Sequence, residues 1–285
     1  MRANKMLSWL LAFVMVLVLA ACGNENSEVY DKEQTETATE KTELIIFAAA
    51  SMTETLSEIE KLYKVENPNV TLVFNFDSSG TLKTQIQAGA DCDLFISAGQ
   101  KQMNQLDFAA EPQTNTEGLD YVLEGTRINL LENKVALCVS ERSNSQIKTF
   151  EELAVALKNG DVLMAMGNSD VPVGQYTQKI LRYYGLDEAV LSGNGVISYG
   201  SNVKEVTTQI LAGSVDCGII YCTDAYSAGL TVSDIATPEM CGQVIYPAAI
   251  MKQSKHREAA EQFLDFLQSD ACMEIFESVG FSRVP

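Results

Sequence analysis

From Glu43 onward the chain alternates short apolar runs with amphipathic stretches. Leu44–Ala49 (LIIFAA), Val70–Phe76 (VTLVFNF) and Leu94–Ser97 (LFIS) read as strands, as do Lys134–Val139, Val162–Met166, Val196–Tyr199, Cys217–Tyr221 and Val244–Ile250. Apolar runs of this length, without strict alternation, suit strands covered on both faces. Between them Met52, Leu56, Ile59 and Tyr63 recur at helical spacing, as do Val203, Val206, Ile210 and Leu211. The tail adds helices over Glu258–Leu267 and Ala271–Val279. Strands alternating with helices predict an α/β fold whose sheets are flanked by helices. Phe263, Phe266 and Leu267, and the alternating Met164 and Met166, read as core packing.

Before Glu43 the pattern is different. Arg2 and Lys5 precede a mostly apolar stretch from Leu7 to Ala21. That is short of the ~20 residues a bilayer-spanning helix needs and suits the hydrophobic part of a secretory signal. The stretch ends in Leu19-Ala20-Ala21-Cys22-Gly23, which resembles the lipobox of bacterial lipoproteins. The resemblance implies cleavage before Cys22 and a lipid on its thiol, so that the membrane is met through this anchor alone. Residues 23–42 carry six acids and two lysines, with only Val29 and Tyr30 as larger apolar groups. Such a segment buries too little to order itself; 1–21 read as a leader and 22–42 as a disordered tether.

The whole chain carries a net charge of −18 over 285 residues. Losing residues 1–21 removes two cations and no acid, which leaves −20, and takes away Trp9, the only tryptophan. A surface this acidic excludes general nucleic-acid binding, which needs clustered cations to neutralise phosphate. Six cysteines remain after the leader: Cys92, Cys138, Cys217, Cys222, Cys241 and Cys272. With no Cys-x-x-Cys pair and His256 as the only histidine, a zinc site is not expected. Buried free thiols acting as small hydrophobes are.

The informative feature is the construction of four strand-to-helix joints: Ala48-Ala49-Ala50-Ser51, Asp77-Ser78-Ser79-Gly80, Val171-Pro172-Val173-Gly174 and Gly200-Ser201-Asn202-Val203. Each is small or polar and each opens a helix, where backbone N–H groups lack intrahelical acceptors. Singly, Ser51, Ser79 and Ser201 are explained as N-caps. Together, at the carboxyl ends of strands where open α/β sheets bind ligands, four bare helix N-termini describe an oxyanion site made of neutral donors.

Several segments, in order, resemble the periplasmic molybdate-binding proteins, the receptors of molybdate ABC importers: FAAASMTETLSEI, SSGTLKTQIQAGADCDLFISAG, VPVGQY, NVKEV, CGIIYCTDA, YPAAI and FLDFLQSDACMEIFESVGF. The resemblance runs from about Glu43 to Phe281. It implies a two-lobe periplasmic-binding-protein fold of type II-like topology, with two crossing strands as hinge and the ligand between the lobes. It places 43–131 with 225–285 in one lobe and 132–224 in the other. Carried over position by position, Ser51 and Ser79 would each give a hydroxyl and a backbone N–H, Val173 and Val203 a backbone N–H each, and Tyr221 its phenol. The implied ligand is molybdate or tungstate, bound as an oxyanion with no side chain on the metal and no further cofactor. The implied partners are an ABC permease and its ATPase, met by a monomer outside the cytoplasm.

A shell of donors alone selects for ions that only accept. Molybdate, tungstate and sulfate are unprotonated near neutral pH, whereas phosphate keeps a proton that wants an acceptor. Cavity size is then what separates molybdate from sulfate. Two positions depart from the expected pattern. Asp77 precedes the serine pair where a small residue is expected, and a carboxylate in the cleft would favour a protonated oxyanion such as phosphate; a neighbouring N–H or solvent holding it would not. Gly80 stands where serine is common. An enzyme with Ser51 or Ser79 as nucleophile would need a base, but His256 lies between Lys255 and Arg257 ahead of a helix, and no Gly-x-Ser-x-Gly elbow surrounds either serine.

Overall fold

The computed structural model describes residues 41–284. The leader, Cys22 and the tether up to residue 40 lie outside them. The chain first runs through β1 (Thr42–Ala49), a single 3-10 turn (Ala50–Met52), α1 (Thr53–Glu66), β2 (Val70–Asp77), α2 (Ser79–Gln87), β3 (Leu94–Ile96), α3 (Gln100–Leu106) and β4 (Ile128–Asn133). It continues as β5 (Val135–Val139), α4 (Phe150–Asn159), β6 (Met164–Gly167), α5 (Pro172–Tyr183), α6 (Glu188–Gly193), β7 (Ile197–Gly200), α7 (Val203–Ala212), β8 (Cys217–Tyr221), α8 (Cys222–Ala228) and β9 (Val232–Ile235). It returns through α9 (Pro238–Cys241) and β10 (Val244–Ile250) and closes with α10 (Arg257–Phe266) and α11 (Asp270–Ser278).

These strands make two five-stranded sheets, in the orders β2-β1-β3-β10-β4 and β7-β6-β8-β5-β9. In the first, β1 runs parallel to β2 and β3, and β10 is antiparallel to β3 and β4. In the second, β6 is parallel to β7 and β8, and β5 is antiparallel to β8 and β9. Both sheets are mixed and flanked by helices: the two-lobe arrangement expected from the sequence. Crossings from one sheet to the other occur at Lys134, between β4 and β5, and again between β9 and β10. Strand pairing therefore puts β9 with the second sheet, although the sequence reading assigned everything after 224 to the first lobe.

The strands missed in the sequence are β4 (INLLEN) and β9 (VSDI). Each lies at a sheet edge, where one side has no partner strand and polar residues such as Asn129 and Asp234 are tolerated. Central β1 and β10 were legible because neighbours cover them on both sides: β10 is buried along its whole length. Helix α1 packs Leu56, Ile59 and Tyr63 inward, with Tyr63 edge-on to Phe263 and Phe266 at ring-centroid separations of 4.9 and 5.0 Å. Leu211 departs from its predicted helical face and stands 46% exposed, while Val203, Val206 and Ile210 are buried. The six cysteines are free thiols, five of them buried. Burial is the first cause that raises each of them, Cys138 and Cys217 to about 12, so they behave as inert hydrophobes.

Candidate functional site

The four joints converge. Ala49, Ala50 and Ser51, then Asp77, Ser78 and Ser79, with Ala98 after β3, line one side of a small cavity; Val171, Pro172, Val173, Val203 and Tyr221 line the other. The cavity's free volume is about 10 Å³, far below the roughly 300–1,000 Å³ of sites for organic ligands. All five residues expected to form an oxyanion site are in its wall and buried: Ser79 and Val173 fully, Tyr221, Val203 and Ser51 to within 5%. Five strand ends from two sheets supply them, none adjacent in sequence.

The capping at these joints differs from the sequence reading, and the difference matters. Ser79 is not the N-cap of α2. Ser78 is, its Oγ accepting from Thr81 N at 3.1 Å. Asn202, not Ser201, caps α7, its Oδ1 accepting from Glu205 N at 3.0 Å. Ser51 lies in the 3-10 turn and caps nothing. With capping assigned elsewhere, the Ser51 and Ser79 hydroxyls are not turned back onto their own helices.

Both hydroxyls bond partners within the first lobe. Ser79 Oγ accepts the Ala98 N–H at 2.9 Å, which leaves its own O–H to donate. Ser51 Oγ is 2.9 Å from Tyr246 Oη. Tyr246 Oη accepts from Asn133 Nδ2 at 3.1 Å, and Asn133 is oriented by its Oδ1 accepting the Lys134 N–H at 2.8 Å. An amide nitrogen only donates, while either oxygen of the Ser51–Tyr246 pair can be the donor; with Tyr246 donating, the Ser51 proton is left for the cavity. Burial drives the ordinary tyrosine pKa well upward at both Tyr246 and Tyr221, and both phenols stay neutral donors. Tyr221 Oη donates to Ala98 O at 3.3 Å, a long bond to a carbonyl on the cavity wall. Its ring stands edge-on to Tyr246 at 5.8 Å and to Tyr176 at 6.4 Å.

On the opposite wall the donors are backbone. Helix α5 begins with Pro172, which has no N–H, so the bare amides of its first turn start at Val173. Gly174 lets this turn seat closely: a Cβ there would lie 2.2 Å from Gly167 O. Helix α7 offers Val203 N–H at its first position, its cap side chain being engaged with Glu205. Among the described residues, no lysine, arginine or histidine lines the cavity.

The two departures from the expected pattern now have reasons. Asp77 Oδ1 accepts from Ser78 N at 2.7 Å and from Asn202 Nδ2 at 3.3 Å, so the carboxylate is held by a neighbouring N–H and by the capping residue of α7. Gly80 meets Asp170 of the other lobe: a Cβ at position 80 would lie 2.1 Å from Asp170 O. A serine there would push the lobes apart. Tyr246, Asn133 and Ala98 were missed as supporting residues. Tyr221 was named by the family resemblance; a phenol within an apolar strand is a feature it shares with Tyr246.

His256 lies elsewhere. It shares a surface depression with Asp93 and Ser254, its Nδ1 3.5 Å from Asp93 Oδ2, while Ser254 Oγ donates to Asp93 Oδ1 at 2.6 Å. It lines no part of the serine cavity, so neither Ser51 nor Ser79 has an imidazole base there.

The family described as bacterial extracellular solute-binding protein matches residues 44–282. The chain belongs to that family. This solute-binding protein is 32% identical over 277 residues to YvgL of Bacillus subtilis, named as a candidate substrate-binding lipoprotein of an ABC transporter, with 95% of each chain covered. It is 31% identical to the molybdate-binding protein ModA of Haemophilus influenzae, covering 83% of this chain and 89% of that one. Among solved structures, the substrate-binding domain of a candidate molybdenum ABC transporter from Clostridium difficile superposes with a TM-score of 0.61 at 32% identity, over 86% of this chain and all of the other. The sulfate-binding protein SubI of Mycobacterium tuberculosis shares the fold alone, at 17% identity and a TM-score of 0.67, over 85% of this chain and 87% of its own. The resemblance read from the sequence motifs is a family relationship. As a solute-binding protein the chain holds its ligand and transforms nothing; it is not an enzyme.

Proposed function

We propose that this solute-binding protein binds molybdate, and tungstate with it, between its lobes and delivers the ion to an ABC importer. The observation that carries the reading is the convergence of Ser51, Ser79, Val173, Val203 and Tyr221 on one small cavity that, among the described residues, has no side-chain cation. The Ser79 hydroxyl proton and the amide protons of two helix starts are available to a single tetrahedral dianion, the Ser51 proton joins them when Tyr246 donates to Ser51 Oγ, and Tyr221 can turn its proton from Ala98 O toward it. Hydrogen bonds to a charged group contribute roughly 1.5–3 kcal/mol each. Several in a dry cavity exceed desolvation and reach the ~8 kcal/mol of a micromolar complex.

The uncharged donors of the wall also explain binding by so acidic a chain. Long-range repulsion is screened beyond ~10 Å in salt, and inside that range the aimed dipoles dominate. The relatives named for molybdate and molybdenum support the choice of ion, and the lipoprotein name of the Bacillus relative supports an anchor on Cys22. On this reading the partners are a permease and its ATPase, and the protein works as an anchored monomer outside the cytoplasm.

Asp77 gives a second reading its one specific observation: a carboxylate in the wall would accept from protonated phosphate. Its engagement with Ser78 N and Asn202 Nδ2 favours the first. Native mass spectrometry of the purified protein after exposure to equal concentrations of molybdate, tungstate, sulfate and phosphate decides between them. Retained molybdate or tungstate is expected. Retained phosphate would assign Asp77 the acceptor role, and sulfate retained equally with molybdate would defeat the size argument.

A further inference from the structure

Behind the cavity, three charged residues occupy the first turns of three helices that start at its wall. Glu54 is in α1, just after Ser51; Lys204 is in α7, next to Val203; Asp224 is in α8, just after Tyr221. Lys204 Nζ donates to both carboxylate oxygens of Glu54, at 2.9 and 2.7 Å, and lies 3.3 Å from Asp224 Oδ1. Glu54 belongs to the first lobe, Lys204 and Asp224 to the second.

Two of these placements are locally unfavourable. A cation in the first turn of a helix opposes the helix dipole, whose positive end lies there. The Asp224 side chain is wholly buried, and neither of its oxygens accepts a hydrogen bond among the described residues. An ionised carboxylate in that position is destabilising unless a nearby charge offsets it. Local rules broken together at one place point to a role beyond folding. Both placements make sense as one device: Asp224 draws the Lys204 ammonium back from the cavity and aims it across the lobe boundary at Glu54.

We propose that Lys204 is a positioning residue for ligand retention, bridging Glu54 of the first lobe and Asp224 of the second so that the first turns of α1, α7 and α8 hold their donors on one ion. The inference rests on the oxyanion reading and adds to it that the lobes are held shut by a charge bridge outside the ligand shell. The bridge acts on release: it forms as the lobes meet and must break before they part, so it enters the dissociation rate and leaves the encounter rate alone.

Glu54→Gln is the clean variant, because it cuts only the arm that crosses between lobes and leaves the half-exposed surface of α1 otherwise unchanged. Radiolabelled molybdate bound to the purified protein is chased with excess unlabelled molybdate, and association is followed separately. Glu54→Gln and Lys204→Met should release the ion roughly three- to tenfold faster with association unchanged, and Lys204→Arg should restore slow release. Raising the salt concentration should speed release from the wild type and not from Glu54→Gln. A Glu54→Gln protein that is folded and releases molybdate at the wild-type rate overturns the bridge while leaving the oxyanion site standing. A wild type that retains none of the four oxyanions defeats the site, and the bridge with it.

Discussion

The two walls of the cavity offer hydrogen-bond donors by different means. The first-lobe wall relies on Ser51 and Ser79 hydroxyls, which are held by partners within that lobe: Tyr246 and Asn133 for one, Ala98 for the other. The second-lobe wall relies mainly on main-chain amides of α5 and α7, directed by nothing but helix geometry. The first wall is open to point substitution. The second is protected from it, at the expense of demanding Pro172 and Gly174 to bring a bare helix start into place. Side-chain identity should therefore dominate binding on one side and hardly matter on the other.

The largest effect is expected on the hydroxyl wall. Ser79→Ala removes a donor to the charged ligand and should weaken binding roughly 10- to 100-fold by calorimetry. It also strands the Ala98 N–H, lowering stability by about 1–3 kcal/mol in a denaturant titration. Retained affinity would show that the hydroxyl points away from the ion.

A second test concerns the buried carboxylate that stands behind the amide wall. Desolvation is the leading cause that raises Asp224 from 3.8 to about 6, with Lys204 opposing it. A carboxyl whose pKa is raised on folding lends stability fully below its unfolded pKa and loses it as pH climbs through the folded one. Between pH 4 and pH 7 the wild type should thus lose stability relative to Asp224→Asn, by about 2–3 kcal/mol. Parallel stability-versus-pH curves for the two proteins would rule out a buried charge at neutral pH.

Next comes the seam where the walls meet. Gly80→Ala places a methyl group against Asp170 O. The ligand-free protein should be as stable as wild type or slightly more so, since alanine suits a helix better by up to about 1 kcal/mol. Affinity should fall about tenfold or more, because the lobes cannot seat. Loss of stability without loss of affinity would place the contact in folding and not in closure.

The smallest effect on binding is expected at the amide wall. Val203→Ala keeps its N–H and should change affinity by less than about threefold, while removal of buried methyl groups lowers the melting temperature through about 2 kcal/mol of lost packing. A large affinity loss there would show that the valine side chain shapes the cavity and would erase the contrast between the walls.

What the sequence disclosed follows the same divide. Helix starts after apolar strands are local patterns, so the four joints and the central strands could be picked out; Ser51, Ser79, Val173, Val203 and Tyr221 as individual donors came from the family resemblance. The groups that aim the hydroxyls could not. Ser51 and Tyr246 are 195 positions apart, and nothing local at Lys204 tells that its ammonium faces Glu54, 150 positions away. Capping was misassigned by one residue at Ser79 and Ser201 because two polar residues stand side by side at each joint. Only the backbone angle at the helix start chooses between them. The edge strands β4 and β9 escaped because a strand paired on one side has no need of an uninterrupted apolar run.

Asn133 lies at the end of β4, immediately before the chain crosses between sheets, and it reaches both Tyr246 Oη and Thr223 Oγ1. A rotation of the lobes about that crossing displaces atoms near the axis least. The chain of contacts from Asn133 through Tyr246 to Ser51 would survive such a swing, as would Ala98 on Ser79, whereas the Tyr221 bond to Ala98 O spans the gap and would part. A gaping form would thus present one jaw already cocked, and an arriving ion would settle there before the other jaw came down on it.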